Sequence, residues 1–539
     1  MVSMRNSISF LLIFLGSFAC LTCGKDVLSC LSSGGVQNLT TISSPTYAHF
    51  LDLSLYNLIY SGPHVLKPFA IILPEDRQQL VVSVQCCRKW SWVIRLRSGG
   101  HSFESMSSVA DDPFVIIDLI NLNRVTVDLD SETAWVEGGA TLGELYYAIG
   151  TSSKAHAASA GIAPTVGIGG HFSGGGNGFL ARKYGLAADN VVDAILIDAD
   201  GRVHDRESMG EDVFWAIRGG GGGGWGAVYA WKIRLLPVPE TVSVFYIFRH
   251  GSISSSVQLV NKWQMVAPVL EDDFYLAVLA HAGTNANEIS LLFMGLYLGP
   301  KASAFDSITR AFPQLGVLEN DFKEMSWVES TLYLWTSKKE PTLDYLKNRS
   351  YPKVFCKSKF DFVMDPVPES RLEGALEMLA KQPKGMMTVI PYGGMLARIG
   401  SEEIAFPHRE GNLYGIFYFS AWEEEEDRRR DAYLGWIRGV YEYMTPFVSK
   451  NPRRVYVNVV DLDLGVMDWK NRSMYGEYAV EVARPWEEKY FHGNYDRLVR
   501  AKTLIDPDNV FRHPQSIPPL SLVPSDRHVK GGWSVSKEI

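Results

Sequence analysis

Glycine placement constrains this chain more than any other feature: 48 glycines occur in 539 residues, and they crowd into the stretch between Gly99 and Gly226. Residues without Cβ let a backbone approach a ligand or another backbone more closely than a side chain permits. Three loops carry the concentration. The first, Arg97-Ser98-Gly99-Gly100-His101, follows an alternating strand over Trp92 to Arg97, so backbone N–H groups can converge on an anion while His101 projects over the rest of it. Taken alone, that pentapeptide reads better as a turn with an incidental histidine. The second runs from Pro164 through Thr165, Gly167, Gly169, Gly170, His171, Gly174 and Gly175 to Gly178, and leads on to Asn190. Its glycines, hydroxyls and lack of acidic side chains suit a diphosphate. No Gly-Lys-Ser/Thr follows, and Phe172 stands where a dinucleotide fingerprint needs its third glycine, so it is neither a Walker nor a Rossmann loop. Arg218 to Gly226 forms a third loop of the same character.

The remaining sequence describes a large globular protein. Hydrophobic residues make up 46% and charged residues 21%, which excludes a disordered chain and a multispanning membrane protein. The formal net charge of −8 leaves no global positive field for a nucleic acid backbone. With 14 Trp, 24 Tyr and 26 Phe, aromatic walls around a site are expected. Residues 1–23 read as a secretory signal peptide, with Arg5 ahead of an apolar stretch from Phe10 to Leu21, too short for a stable span. The expected location is the secretory pathway, ending outside the cell, in the apoplast, or in a vacuole or vesicle. Cleavage leaves Cys30, Cys86, Cys87 and Cys356 in an oxidising compartment, where one or two disulfides can form. Sequons at Asn38, Asn348 and Asn471 gain weight there as glycosylation sites.

Short strands are predicted at Phe114 to Leu119, Val125 to Leu129, Thr133 to Glu137 and Asp189 to Asp198, with a capping box at Thr141 opening a helix. After Pro237-Val238-Pro239 the texture changes to long helices and aromatic strands, including Phe274 to His281, Leu291 to Tyr297 and Asn412 to Ser420. A domain boundary is placed there, within a mixed α+β architecture. The run Glu423 to Arg430 sets Glu424, Glu425 and Glu426 each four residues before an arginine, which predicts a solvated helix face.

Several blocks together carry a family resemblance: Arg97 to His101, Pro164 to Asn190, Phe214 to Gly222, Phe406-Pro407-His408-Arg409, Asp461 to Gly465, Ile505 to Arg512 and Gln515 to Pro518. The chain resembles the plant berberine bridge enzyme-like flavoproteins from about Cys30 to Pro519. The resemblance implies a two-part vanillyl-alcohol-oxidase-type FAD-binding domain (24–238, completed by 477–539) and an α/β substrate domain with an antiparallel sheet (239–476). It implies FAD bonded through His101, a Cys30–Cys86 disulfide, and a cofactor site including Arg97, Ser98, Gly99, Gly100, Thr165, Gly167, Gly169, Gly170, His171, Gly174, Gly175 and Asn190. A small-molecule substrate, no metal, no membrane partner and a monomer are expected.

The chain departs from this family at chemically decisive places. Where a second flavin bond usually comes from a cysteine, this chain has Ala163, so a single attachment is expected. A usual pocket tyrosine is Phe103, and the tyrosine that often acts as base, in a strand-borne motif, is Val459. Gly415 and Phe417 replace polar residues of a neighbouring strand. Tyr456, Tyr414, Tyr418 and His281 are the candidate substitute bases. The expected activity is an FAD-dependent oxidoreductase, an oxidase using O2, acting on a plant metabolite such as a phenolic or alkaloid. Val166 favours O2 access by the same resemblance. The alternative is an FAD-dependent Diels-Alderase in which the flavin is scaffold, for which an apolar pocket of Phe103, Val166, Gly415, Phe417 and Val459 is enough.

Overall fold

The computed structural model describes residues 26–53, 55–336, 342–471 and 473–521. The expected signal peptide lies outside them. Three parallel strands, β2 (Ala70–Ile72), β4 (Phe114–Asp118) and β3 (Val93–Arg97), form the heart of a four-stranded sheet edged by antiparallel β1 (Leu39–Thr41). All five β4 residues are buried, as an unbroken apolar run in a parallel sheet requires. The helix Arg77–Lys89 makes the crossover, and its N-cap Asp76 accepts from Gln79 N at 2.8 Å.

A second, antiparallel sheet is ordered β5 (Val125–Asp128), β6 (Thr133–Glu137), β10 (Ala227–Arg234), β8 (Val191–Ile197) and β9 (Val203–His204). The strand expected from Asp189 begins only at Val191, because Ala188–Asn190 forms a 3-10 turn. The capping box at Thr141 is present and opens the helix Leu142–Ser152. The texture change at Pro237 is a change of sheet. There β11 (Leu236–Pro237) pairs with the short β7 (His156–Ala157), and β12 (Val242–Ser252) enters the next sheet.

That third sheet has seven antiparallel strands in the order β15 (Phe322–Met325), β12, β14 (Glu288–Tyr297), β13 (Phe274–Ala282), β17 (Gly385–Pro391), β18 (Tyr414–Trp422) and β16 (Phe355–Val363). Alternate residues face opposite sides. On β18, Tyr414, Ile416 and Tyr418 join a core with the helices Ile253–Val266, Glu369–Ala380 and Arg430–Met444. Phe417 lies on the other side, against the core that holds Phe172, Phe406 and Tyr456. The Glu423–Arg430 run differs from expectation: Glu424–Arg429 is a 3-10 helix, so four-residue spacing does not align the charges. Glu426 pairs with Lys384 at 2.6 Å and Asp427 with Arg430 at 2.6 Å instead.

After β18 the chain returns to the glycine loops. The stretch Asn458–Gly465 is not a strand; it turns into a short 3-10 helix at Leu462–Leu464. The helix Tyr495–Ile505 then packs on Glu211–Ile217. Its buried Lys502 donates to Gly224 O at 2.6 Å and Phe511 O at 2.7 Å, and pairs with Asp506 at 2.7 Å. Of the sequons, Asn348 and Asn471 are exposed and Asn38 is half-buried, donating to Glu75 Oε1 at 3.1 Å.

Cys30 and Cys86 are disulfide-bonded across a separation of 56 residues, and Cys87 is a buried free thiol. Chain entropy assigns a loop of that size a stabilisation on the order of 4 kcal/mol. Cys86→Ser should therefore lower the melting temperature well beyond Cys87→Ser. Equal shifts in a thermal melt of the two variants count against the bridge as the stabilising element.

Candidate active site

The three glycine loops meet the seven-stranded sheet and the C-terminal stretch Arg512–Ile517 around a cavity of about 430 Å³. Two of the loops interlock. A Cβ on Gly99 would stand 2.3 Å from Gly167 N, and one on Gly167 would stand 2.2 Å from Gly99 N. Ser98 ties them further: its Oγ donates to Gly138 O at 2.7 Å and accepts from Gly169 N at 3.3 Å. Gly100, with φ +70°, turns the chain so that His101 follows on the cavity wall.

Three histidines line the cavity, and burial pushes the pKa of each down: His101 and His171 to about 4, His513 to about 3. All three are neutral at pH 7. His171 Nε2 accepts from Gly161 N at 3.0 Å, and His513 Nδ1 accepts from Gln515 N at 3.2 Å. His101 is hydrogen-bonded to the Thr165 main chain, while its Nε2 is buried without a partner.

Phe103, Val166, Phe417 and Val459 form apolar wall, and no carboxylate or lysine belongs to the lining among the described residues. Acidic and basic groups nearby neutralise one another. Lys357 contacts Glu104 and lies 2.7 Å from Asp461, Lys359 lies 2.6 Å from Asp461 and 2.9 Å from Asp463, and Arg438 lies 2.9 Å from Asp463. Pairing of this kind is what permits such charges indoors.

The four candidate bases separate cleanly. Tyr414 and Tyr418 sit on the helix-facing side of β18, where Tyr414 donates to Gln264 Oε1 at 2.8 Å, and neither lines the cavity. His281, near the end of β13, has Nδ1 2.8 Å from Ala282 O and is also outside the lining. Tyr456 does line the cavity, but its hydroxyl oxygen already accepts from Gly176 N at 3.0 Å, Asn177 N at 3.2 Å and Asn458 Nδ2 at 3.0 Å. That leaves no lone pair for a substrate proton. Burial also raises its pKa, so the phenol stays protonated. Tyr456 braces the second glycine loop to the segment that carries Asn458.

Several other expected site residues stand behind the lining. Arg97 is fully buried and paired with Asp118 at 2.7 Å. Asn190 donates to Tyr184 O and Leu186 O, closing its own turn. Thr165, Gly174 and Gly175 lie within the second loop's packing; a Cβ on Gly174 would stand 2.0 Å from Asn458 Oδ1. Gly415 makes room for Phe360, whose ring would be 2.3 Å from a Cβ there. Ser98, Gly99, Gly100, His101, Gly167, Gly169, Gly170 and His171 do line the cavity.

Residues 68–206 match the FAD binding domain family, and residues 455–518 match the berberine and berberine like family. Reticuline oxidase of Eschscholzia californica is 51% identical over 514 residues, 94% of each chain. The chain belongs to the berberine bridge enzyme family. Tetrahydroberberine oxidase of Berberis wilsoniae is 41% identical over 510 residues, 92% of this chain and 94% of that one. The solved berberine bridge enzyme from Eschscholzia californica superposes with a TM-score of 0.90 at 51% identity, over 92% of this chain and all of that one.

This berberine bridge enzyme-like protein is therefore an FAD-linked oxidoreductase with a small-molecule substrate, and its residues fit the cofactor. The cavity is edged by glycines, among which Gly99 and Gly167 leave no room for Cβ, carries no acidic side chain, and presents the orphaned Nε2 of His101. Sequence reading assigned no role to Tyr56, Tyr351, Asn177, His513 or Gln515. They are single polar or aromatic residues in irregular segments, where no periodicity marks them.

Two outcomes follow from the geometry. Gly99→Ala forces the interlocked loops apart and should cost about 1–3 kcal/mol or more together with bound flavin. Gly435→Ala, inside the helix Arg430–Met444 and with nothing within 4 Å of the new Cβ, is the clash-free comparison and should stabilise by up to about 1 kcal/mol. The second outcome concerns pH. His171, His408 and His513 are buried with pKa values of about 4, 3 and 3, below the unfolded value, so the unfolded chain binds more protons as pH falls below about 6.5. Stability is intact above that pH and falls towards pH 4, each histidine adding up to about 1.4 kcal/mol per pH unit. A flat melting-temperature profile over that window contradicts neutral burial.

Proposed function

We propose that this enzyme oxidises a small tertiary amine of the alkaloid class, passes the electrons to O2, and holds FAD by one bond, through His101. One observation carries the substrate class: an aromatic, apolar wall of Phe103, Phe417, Val166 and Val459, none of which takes a proton, beside histidines that burial makes weak bases, with pKa values pushed down to about 4 or 3. Oxidising an alcohol or phenol removes an O–H proton as well as a C–H hydrogen, and a positioned base contributes roughly a hundred- to ten-thousand-fold to such a step. An amine needs no such base, because the nitrogen lone pair compensates the carbon as its hydrogen leaves. When bound, FAD supplies the two-electron acceptor. Phe103 and Phe417, with ring centroids 5.5 Å apart, position a flat substrate, exclude water and offer their faces to the cationic product. The relatives named for oxidising reticuline and tetrahydroberberine support this reading.

Ala163 offers no thiol for a second flavin bond, and Val166 puts a small side chain on the cavity wall, which supports O2 access. The Cys30–Cys86 bridge supports passage through the secretory route. The same base-free wall also favours cycloaddition, in which orientation alone accelerates the reaction.

Anaerobic mixing separates these readings. Tertiary amines should bleach the oxidised flavin band, with alcohols and phenols slower by about a hundredfold or more for want of a base. Val459→Tyr should then raise the alcohol rate and leave the amine rate within a few-fold. Equal wild-type rates for alcohols and amines overturn the amine assignment. Product formation without bleaching or O2 uptake establishes cycloaddition instead.

A further inference from the structure

His101 is held by more than its own loop. The Tyr351 ring centroid lies 4.2 Å from that of His101 and the Tyr56 centroid 5.5 Å away, nearly parallel at 25°. The two tyrosines are only 5.8 Å from each other. Three rings at these distances make a triangle, so the tyrosines close adjacent sides of the imidazole instead of sandwiching it. The unpartnered Nε2 remains on a residue that lines the cavity.

Tyr351 is fixed from both directions along the chain. Two residues earlier, Arg349 forms a forked pair with Glu144, Nε to Oε1 at 3.0 Å and Nη2 to Oε2 at 2.6 Å, and donates to Gly139 O at 3.0 Å. Beyond it, Lys353 pairs with Asp52 at 2.6 Å, and Val354 exchanges backbone bonds with the Tyr56 segment: Val354 N to Tyr56 O at 3.3 Å and Leu58 N to Val354 O at 2.9 Å. The anchors at Val354 reach the segment that carries Tyr56. Both rings therefore belong to one clamped strap, which the long sequence separation from His101 hides. Neither tyrosine is among the cavity-lining residues.

We infer that Tyr351 and Tyr56 are positioning residues for covalent flavin attachment: the strap fixes the plane of the imidazole that bonds the flavin methyl carbon. This rests on the reading that His101 carries the bond. Attachment replaces an imidazole N–H and a methyl C–H by one C–N bond; two electrons and two protons leave, and dioxygen takes them up as hydrogen peroxide. The tyrosines supply no atom to this balance. They restrict the orientation of the nucleophile, and misorientation by about 1 Å costs such a step up to a hundredfold. The unprotonated state of the buried imidazole suits the same role.

The test reads attachment separately from binding. Wild type, Tyr351→Ala, Tyr351→Leu and Tyr351→Phe are purified, total flavin per chain is measured, and the flavin retained after acid denaturation is measured on the same samples. Attachment rate is followed on apo-protein reconstituted with FAD in air. Tyr351→Phe, which keeps the ring, should attach at the wild-type rate. Tyr351→Ala should bind FAD yet attach about tenfold or more slowly. If Tyr351→Ala does not fold, Tyr351→Leu, which keeps bulk without a ring, gives the reading. Wild-type attachment in the folded Ala or Leu variant overturns the positioning role. Wild-type flavin that comes free in acid overturns it too, and locates the failure in the His101 linkage.

Discussion

The site depends on one contact, the backbone of Gly99 against that of Gly167. Neither residue tolerates a Cβ, since one on Gly99 would stand 2.3 Å from Gly167 N and one on Gly167 2.2 Å from Gly99 N, far inside contact distance. This approach joins a loop that ends the parallel sheet to a loop some seventy residues later in the chain, and the hydroxyl of Ser98 makes the junction a hydrogen-bonded one. From it follow the position of His101 on the wall and the glycine edge of the cavity. The C-terminal stretch closes the far side through Lys502, whose three buried partners include the carbonyls of Gly224 and Phe511.

A second constraint comes from the pleat of the large sheet. Successive residues of β18 face opposite layers, so Tyr414 and Tyr418 belong to the helix-backed core and Phe417 to the cavity. A one-residue difference in register separates a hydroxyl at the site from a hydroxyl buried behind it. The charges close to the wall follow a related logic. Glu104, Asp461 and Asp463 meet Lys357, Lys359 and Arg438, three of each sign, and this pairing removes the nearest carboxylates and lysines from proton transfer. Among its polar and aromatic groups the cavity keeps neutral histidines, aromatic rings and the guanidinium groups of Arg95 and Arg512.

Much of this was legible in the chain. The glycine loops, the capping box at Thr141, the change of texture at Pro237 and the absence of a thiol at Ala163 are local facts, written in single residues or short spacings. The aromatic wall was legible too, since Phe103, Phe417 and Val459 stand at family positions and all reach the cavity. Two residues that the family blocks place at the cofactor stand behind the lining: Arg97 is paired with Asp118, and Asn190 donates to the carbonyls of Tyr184 and Leu186. The charge run after Glu423 is solvated as read, but its four-residue pairing is lost to the tighter winding of a 3-10 helix.

What the sequence determined by itself is therefore the backbone chemistry of the site: where the chain must be free of Cβ, where a histidine follows a glycine turn, and where the family's usual thiol and base are missing. These depend on residue identity alone. The tertiary structure decided which polar groups are free to act. Hydrogen-bond partners come from distant segments: Gly176, Asn177 and Asn458 converge on the Tyr456 oxygen, and a strap some two hundred and fifty residues away brings Tyr351 against His101. A donor or acceptor is available only if nothing else in the fold has claimed it, and that depends on three-dimensional proximity, which spacing along the chain does not encode.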